Sequence, residues 1–304
     1  MGVQVPLAAP FKPMQFTYTK ADLGKNTFQF TVEVPWEEIK KTQDLVFIDL
    51  AKELETAGFR KGKVPLEIAK KEIRKETILQ EAARRFVPEI YDELVRKINL
   101  KPIITPKVEL VKAQENEKWE IRVMVCEKPL VKLGNYKDAV KNKNAEHKKV
   151  DIWTPDKKDE KKPEEKTEES GRKKVGAIFN TLLSVVEVPV SDMLILQELD
   201  KRLAQLVDDV RKIGLTMDAY LASKNETIES IRGRMRKEIE EMYALEFTLE
   251  AIAEDAHIVV DDKELSAVLE GIKDEKMREE ARKNSYFYAT LLRRQKTLDY
   301  LLTL

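Results

Sequence analysis

A long stretch of purely polar sequence divides this chain in two. From Asp156 to Lys174 every residue is charged, polar, glycine or proline. Such a segment cannot bury enough apolar surface to offset the entropy lost on ordering, so we expect it to be disordered. The chain on either side must then fold around separate cores. We expect domains over residues 14–133 and 175–304, a charged linker over 134–174, and a flexible lead-in over 1–13.

The first part of that linker contains a few apolar side chains. In residues 134–155 these are Tyr136, Val140, Ile152 and Trp153. So few apolar groups cannot form the core of a catalytic domain. They leave room for a small ordered piece.

The overall composition favours helices with charged outer faces. Charged residues make up 36% and hydrophobic residues 42% of the 304, with only 10 glycines. The formal net charge is zero, so affinity for nucleic acid has to come from a local patch. The single cysteine, Cys126, excludes an internal disulfide and fits a reducing compartment. We find no signal peptide pattern and no apolar run near the ~20 residues of a membrane span, which predicts a cytoplasmic protein without a membrane partner.

The N-terminal half predicts four strands. Apolar and polar residues alternate over 28–34, which indicates a half-buried strand, and a weaker strand is expected over 14–19. Two more strands are expected over 107–112 and 119–127, joined by a hairpin at 115–117. Strands that flank a run of helices are typical of an α+β domain with an antiparallel sheet.

Long helices are expected between the second and third of these strands. The apolar stripes predict one helix over 36–57 and another over 66–86. Pro88 cannot continue a helix without losing a backbone hydrogen bond, so we expect a third helix over 88–98.

The C-terminal half predicts an all-α domain with a helical-hairpin arm. Apolar residues recur at spacings of three and four over 196–213 and nearly so over 228–252. A short helix near 217–222 connects these two, as expected for an antiparallel hairpin. The last helix, about 279–304, is apolar on more than one face. It either packs against residues 175–188 or exposes a binding surface.

A short basic turn, Gly58-Phe59-Arg60-Lys61-Gly62-Lys63-Val64-Pro65, separates the first two long helices. Glycine just after a helix and proline at the first helical position are typical of such a connection. From Gly58 to Lys75 there are seven cations and two carboxylates, a local excess of five positive charges. Phe59 either folds back under the loop as an anchor or stands exposed among three cations. The exposed form would suit RNA phosphates and an apolar pocket on a protein partner.

The sequence offers little for catalysis. His147 lies in the charged segment, His257 follows a helix, and no cluster has metal-ligand spacing. The basic turn differs from a phosphate-binding loop: only three residues separate its glycines, and Val64 occupies the position of the Mg²⁺-binding hydroxyl. We therefore expect no catalytic residues, metal, nucleotide or other cofactor.

The basic turn resembles the signature of the trigger factor family, Gly-Phe-Arg-x-Gly-Lys-x-Pro, at every fixed position. Residues 129–136 are similar to the family's exit from its N-terminal domain. Residues 188–193 and 214–221 are similar to parts of its C-terminal arms.

This resemblance implies an ATP-independent, ribosome-associated chaperone in the cytoplasm. Phe59, Arg60 and Lys61 would contact a tunnel-exit protein and nearby rRNA of the large subunit. The ribosome-binding residues expected from the motif are Gly58, Phe59, Arg60, Lys61, Gly62, Lys63 and Pro65. Members of the family usually carry a prolyl isomerase domain between the two halves, where this chain has only the charged linker. We therefore expect no isomerase activity.

The helical half would then shield nascent or unfolded polypeptides. Large, adaptable side chains suit such a promiscuous surface. The candidate client-binding residues are Met193, Leu194, Met217, Met235, Met242, Phe247, Tyr286, Phe287 and Tyr288. A homodimer away from the ribosome is compatible with this assignment.

Two other functions stay open at this point. One is a peptidyl-prolyl isomerase in which residues 134–175 form an abbreviated catalytic unit. The other is an RNA-binding or ribosome-assembly protein whose helical half is structural.

Overall fold

The structure, a computed structural model, describes residues 14–150, 163–272 and 274–304, with side chains described outside 147–150 and 163–170. The expected lead-in over residues 1–13 lies outside the described residues. The chain divides into two compact units, Met1–Lys128 and Pro129–Leu304. The first unit therefore ends five residues before the border expected at 133.

The first unit contains the predicted antiparallel sheet. Its strands are β1 (Thr17–Asp22), β2 (Thr27–Val34), β3 (Lys107–Lys112) and β4 (Trp119–Cys126), in the order β1-β2-β4-β3. The alternation read from residues 28–34 is confirmed, because Phe30, Val32 and Val34 are fully buried. β1 starts three residues later than predicted, and Met14, ahead of it, is buried in the core.

Three helices lie between the second and third strands along the chain, with boundaries that differ from the prediction. They are α1 (Trp36–Glu53), α2 (Leu66–Glu72) and α3 (Lys75–Ile98). The break expected at Pro88 is wrong, because Pro88 lies inside α3. Pro88 is exposed, so water can bind the carbonyl that loses its partner. The actual break is at Ile73 and Arg74, whose backbones are extended while Ile73 packs towards α1.

The core of this unit lies between the sheet and the two long helices. Residues of β2 and β4 face buried side chains from α1 and α3. Phe86 meets Trp119 edge-on, with ring centroids 5.6 Å apart. This rigid layer holds the segment between α1 and α2 at the unit's surface.

The second unit is helical throughout its described part. Its helices are α4 (Tyr136–Val150), α5 (Pro163–Val185), α6 (Asp192–Lys212), α7 (Met217–Lys224), α8 (Ile228–Asp255), α9 (Asp262–Glu270), α10 (Glu275–Lys283) and α11 (Ser285–Thr303). α6 and α8 pack together and α7 connects them, as expected for the arm. Side chains cap several of these helices, including Ser191 for α6 and Asp261, in a full capping box, for α9.

Two helices occupy much of the expected linker. α4 covers residues 136–150, and α5 begins at Pro163, so residues 163–174 are helical where disorder was expected. Tyr136, Val140 and Asn144 recur every four residues on α4, and all three are buried. This stripe packs on the helical unit, while the Glu- and Lys-rich start of α5 extends a helix that is anchored by apolar residues further on. Ile152 and Trp153 lie outside the described residues.

Candidate functional site

The basic turn consists of two successive tight turns. The backbone N–H of Phe59 donates to the carbonyl of Thr56 at 3.0 Å, and that of Lys63 donates to Arg60 at 2.9 Å. Gly58 and Gly62 each occupy the third position of a turn, with φ of 89° and 77°. This left-handed conformation is strained for other residues, so the glycine spacing is what places Phe59 and Arg60 at the junction of the turns.

The helix boundaries around this loop differ from the expected ones. α1 ends at Glu53, so Gly58 belongs to a turn and does not cap a helix. Pro65 is the N-cap of α2 and not its first helical residue, and its carbonyl accepts from Ile68 and Ala69, each at 3.0 Å. The fixed φ of proline suits either position.

A small apolar cluster anchors the loop at its end. Val64 is buried with Ala51 of α1 and Ala69 of α2. Partly buried side chains of Phe47, Leu54, Ile68 and Ile73 surround them. Val64 therefore anchors the loop, a role that one interpretation of the sequence had given to Phe59. No such role had been assigned to Val64 from the sequence.

Phe59 itself is not part of this cluster. Its side chain is 39% exposed at the junction of the two turns. The structure thus favours the second interpretation over a buried anchor, because part of the aromatic surface is accessible to solvent.

The loop cations differ in their pairing. Lys61 forms an ion pair with Glu53, the last residue of α1. The hydrogen bond that Lys61 donates to this carboxylate is the main reason that the pKa of Lys61 is raised above its usual value. Arg60 and Lys63 are exposed, and no carboxylate in the described part of the chain lies within salt-bridge distance of either.

The candidate client-binding residues do not share one environment. Leu194 and Phe247 are buried, only 4% and 8% exposed, so neither side chain is accessible to a client in this conformation. Tyr286 and Phe287 are exposed, and Met242 lies at the border of exposure. The remaining candidates are half-buried: Met193, Met217, Met235 and Tyr288.

The last helix combines both interpretations of its apolar faces. Near its C-terminal end Leu301 is fully buried against Ile178 and Leu182 of α5, as in the packed alternative. Its first turns instead expose Tyr286, Phe287 and Leu291, at 86%, 62% and 54%. Most of the exposed apolar surface of α11 therefore lies in its N-terminal part, with Leu302 exposed to 39% near the other end.

A cleft beside these residues was not anticipated. It has a volume of about 620 Å³ and lies between α8, the segment at Val259 and Val260, and α11. Tyr286 contributes to its lining, and Val259 is 70% exposed. Val259 follows a helix end with no periodic pattern around it, which is why sequence reasoning missed it.

α4 is held to the helical unit by specific polar contacts. The Tyr136 hydroxyl donates to Asp255 at 2.8 Å, and Lys137 forms an ion pair with the same carboxylate at 2.8 Å. The Asn144 amide donates to the carbonyl of Leu301 at 2.9 Å, which satisfies a backbone acceptor at the end of α11. Hydrogen bonds from Lys137 and Tyr136 lower the pKa of Asp255, while burial raises the pKa of Tyr136.

These contacts predict a pH effect on stability. Because the folded pKa of Asp255 lies below its ordinary value of 3.8, its contribution is complete above that value and disappears as the pH falls through the folded pKa. We expect Asp255→Asn to lower the unfolding midpoint by a constant amount at neutral pH. The difference from wild type should shrink below about pH 4. Urea unfolding followed by circular dichroism at several pH values measures this, and a difference that grows towards low pH would contradict it.

The described residues offer no other obvious chemical centre. Within 14–146, 171–272 and 274–304, no group of three or more His, Cys, Asp or Glu side chains is placed to hold a metal ion. Cys126 is buried in β4, and His257 is exposed with φ of 52° after α8. In the same part of the chain no helix has the length and apolar character needed to cross a bilayer.

Family comparisons cover nearly the whole chain. A family model described as "Bacterial trigger factor protein (TF)" matches residues 14–156, and one described as its C-terminus matches 157–302. The two matches adjoin in the stretch of sequence between α4 and α5. A separate isomerase domain is not detected between them.

Individual relatives match over shorter stretches. The trigger factor of Listeria innocua is 35% identical over 118 residues, which is 39% of this chain and 27% of that protein. The trigger factor of Limosilactobacillus reuteri is 32% identical over 117 residues, covering 38% of this chain and 26% of the relative. These matches therefore span about a quarter of the relatives' length.

A solved structure supports the same fold. It comes from work on "Promiscuous Substrate Recognition in Folding and Assembly Activities of the Trigger Factor Chaperone". It covers 94% of this chain and 99% of its own, with a TM-score of 0.61 and 15% identity. At that identity the likeness concerns the fold alone.

Proposed function

The chain belongs to the bacterial trigger factor family, and from that premise we propose that it is an ATP-independent chaperone that docks on the large ribosomal subunit. The loop Gly58–Pro65 meets a tunnel-exit protein and nearby rRNA. The helical unit shields nascent or unfolded polypeptides, and the protein works in the cytoplasm.

The observation that carries this proposal is the exposure of Phe59 between two rigid turns. A large apolar side chain surrounded by polar groups is the usual form of an interface anchor, because burying it on a partner contributes much of the binding energy. Arg60 and Lys63 flank it as exposed cations that RNA phosphates can bind. Gly58 and Gly62 keep the turns in shape.

Client capture is assigned to the apolar side chains that the helical unit leaves accessible. The proposed surface comprises Tyr286, Phe287 and Tyr288 at the start of α11, with Met193, Met217, Met235 and Met242. Leu194 and Phe247 are left out because they are buried. Flexible and aromatic side chains of this kind adapt to varied sequences.

No catalytic role is part of the proposal. The two family matches adjoin at residues 156 and 157, which leaves no sequence between them for an inserted isomerase domain. The abbreviated catalytic unit considered for residues 134–175 has no support in the packing of α4, whose buried face serves the helical unit.

The docking role is tested by removing the loop's contact groups. We expect Phe59→Ala/Arg60→Ala/Lys61→Ala to weaken co-sedimentation with ribosomes at least about tenfold, since an anchor and two charges are lost together. The matched control is Leu45→Ala/Lys40→Ala/Lys101→Ala, which removes one exposed apolar side chain and two cations of the same unit outside the loop. It should bind as wild type does.

Two outcomes would contradict the proposal. Equal binding by the loop variant and wild type would remove the loop as the docking site. A protein that binds free rRNA tightly but fails to suppress aggregation of an unfolded client would favour the RNA-binding alternative, for which the basic loop is the supporting observation.

A further inference from the structure

One cation of the loop already has an ion-pair partner in the free protein. Lys61 lies in the second turn, and its ammonium group forms an ion pair with Glu53. Both side chains remain largely exposed, at 54% for Lys61 and 68% for Glu53. A phosphate approaching the loop therefore competes with a carboxylate for Lys61.

The position of Glu53 is unfavourable on local grounds. It is the last residue of α1, where the negative end of the helix dipole disfavours a carboxylate. A lysine or arginine would be the ordinary choice there. Glu53 therefore does not serve the stability of α1, and its pairing with Lys61 gives it another role.

The pairing changes how the loop interacts with a polyanion. Arg60 and Lys63 have no comparable carboxylate in the described chain, so both meet phosphates without losing a partner. Lys61 must first break its ion pair with Glu53, and the released carboxylate then lies near the incoming phosphate. The free loop acts as a site with two available cations and a third that is restrained.

We propose that Glu53 is a specificity-determining residue. By pairing with Lys61, it weakens the binding of the docking loop to RNA when no protein partner is present. RNA without a protein pocket offers nothing to Phe59, so its affinity comes from the cations and falls when one of them is occupied. Docking that also buries Phe59 depends less on Lys61. This inference rests on the proposed docking function of the loop.

The test compares charge-matched variants in binding to single-stranded poly(U) at a series of salt concentrations. Glu53→Gln should tighten binding at low salt by up to about fivefold, the upper range for one exposed ion pair. The slope of log affinity against log salt should steepen by about 0.7, the value for one added phosphate contact on a single strand.

Two controls separate local pairing from total charge. Glu67→Gln removes one negative charge at the start of α2, where no ion pair with a loop cation is formed, and should leave the slope unchanged. In a Lys61→Met background Glu53→Gln should have no effect on the slope, which completes a double-mutant cycle. The proposal is overturned if Glu53→Gln behaves as Glu67→Gln does, or if it acts equally without Lys61.

The ribosome assay keeps this outcome distinct from the docking proposal. If the loop variant loses ribosome binding but Glu53→Gln and Glu67→Gln have equal salt slopes with poly(U), only the proposed role of Glu53 is contradicted. If the slopes differ as expected while ribosome binding is independent of the loop, docking falls and the loop is an RNA-binding element.

Discussion

Replacing Tyr286, Phe287 and Leu291 with serine should weaken the capture of an unfolded client about a hundredfold while leaving the protein folded. All three side chains are more than half exposed at the start of α11. Full burial of each on a client would contribute roughly 1.5–3 kcal/mol, of which association entropy consumes a large part. Titration of a fluorescent, permanently unfolded client protein measures the affinity.

A matched variant on the preceding helix provides the control. Lys276→Ser/Glu279→Ser/Lys283→Ser removes three exposed polar side chains of α10 and should bind the client as wild type does. Both variants should keep their unfolding midpoints within about 2 °C of wild type, because exposed substitutions rarely change stability by much. Unchanged affinity in the α11 variant would transfer client capture to the methionines of α6–α8.

Replacing Tyr136 with alanine should destabilise the docking of α4 by about 3–5 kcal/mol, the usual cost of truncating a large buried aromatic side chain. Tyr136 is 3% exposed, packs with Val140 and Leu301, and donates its hydroxyl to Asp255. Hydrogen exchange of the α4 amides in the full chain reports this locally, and protection should fall at least about a hundredfold.

Neighbouring substitutions define what the tyrosine contributes. Tyr136→Phe keeps the packing and loses one hydrogen bond, so it should cost about 1–2 kcal/mol. Lys137→Ala removes the exposed partner of the same carboxylate and should change protection little. If Tyr136→Ala exchanged no faster than Lys137→Ala, residues 136–150 would behave as the linker that their charge suggests.

Local patterns in the sequence were sufficient for the sheet of the first unit. Alternation at β2 and β4 is a short-range signal, and the buried residues of both strands confirm it. The family signature likewise identified the loop, because it fixes both glycines that the turns require. These features depend on neighbours within a few residues.

Features that depend on distant packing were harder to predict. The sequence of residues 66–86 contains no local signal for the break at Ile73, because the break arises from packing of Ile73 towards α1. Tyr136 and Val140 of α4 were visible as isolated apolar residues, but only the surface formed by α5, α8 and α11 buries them. Leu194 and Phe247 show the same limit, since their burial depends on which faces of the helices meet.

In the proposed docking loop, the groups that set the backbone shape differ from the side chains that would contact a partner. Both turns are closed by backbone hydrogen bonds, and Val64 holds the end of the loop, so apart from the ion pair of Lys61 with Glu53 the exposed side chains contribute little to the fold. Residues 59, 60, 61 and 63 can therefore change without reshaping the backbone, provided that both glycines remain. If the proposed ribosome contact holds, contact groups of the loop can be exchanged one at a time to tune its affinity, and the same tolerance suits the loop to redirection towards another partner.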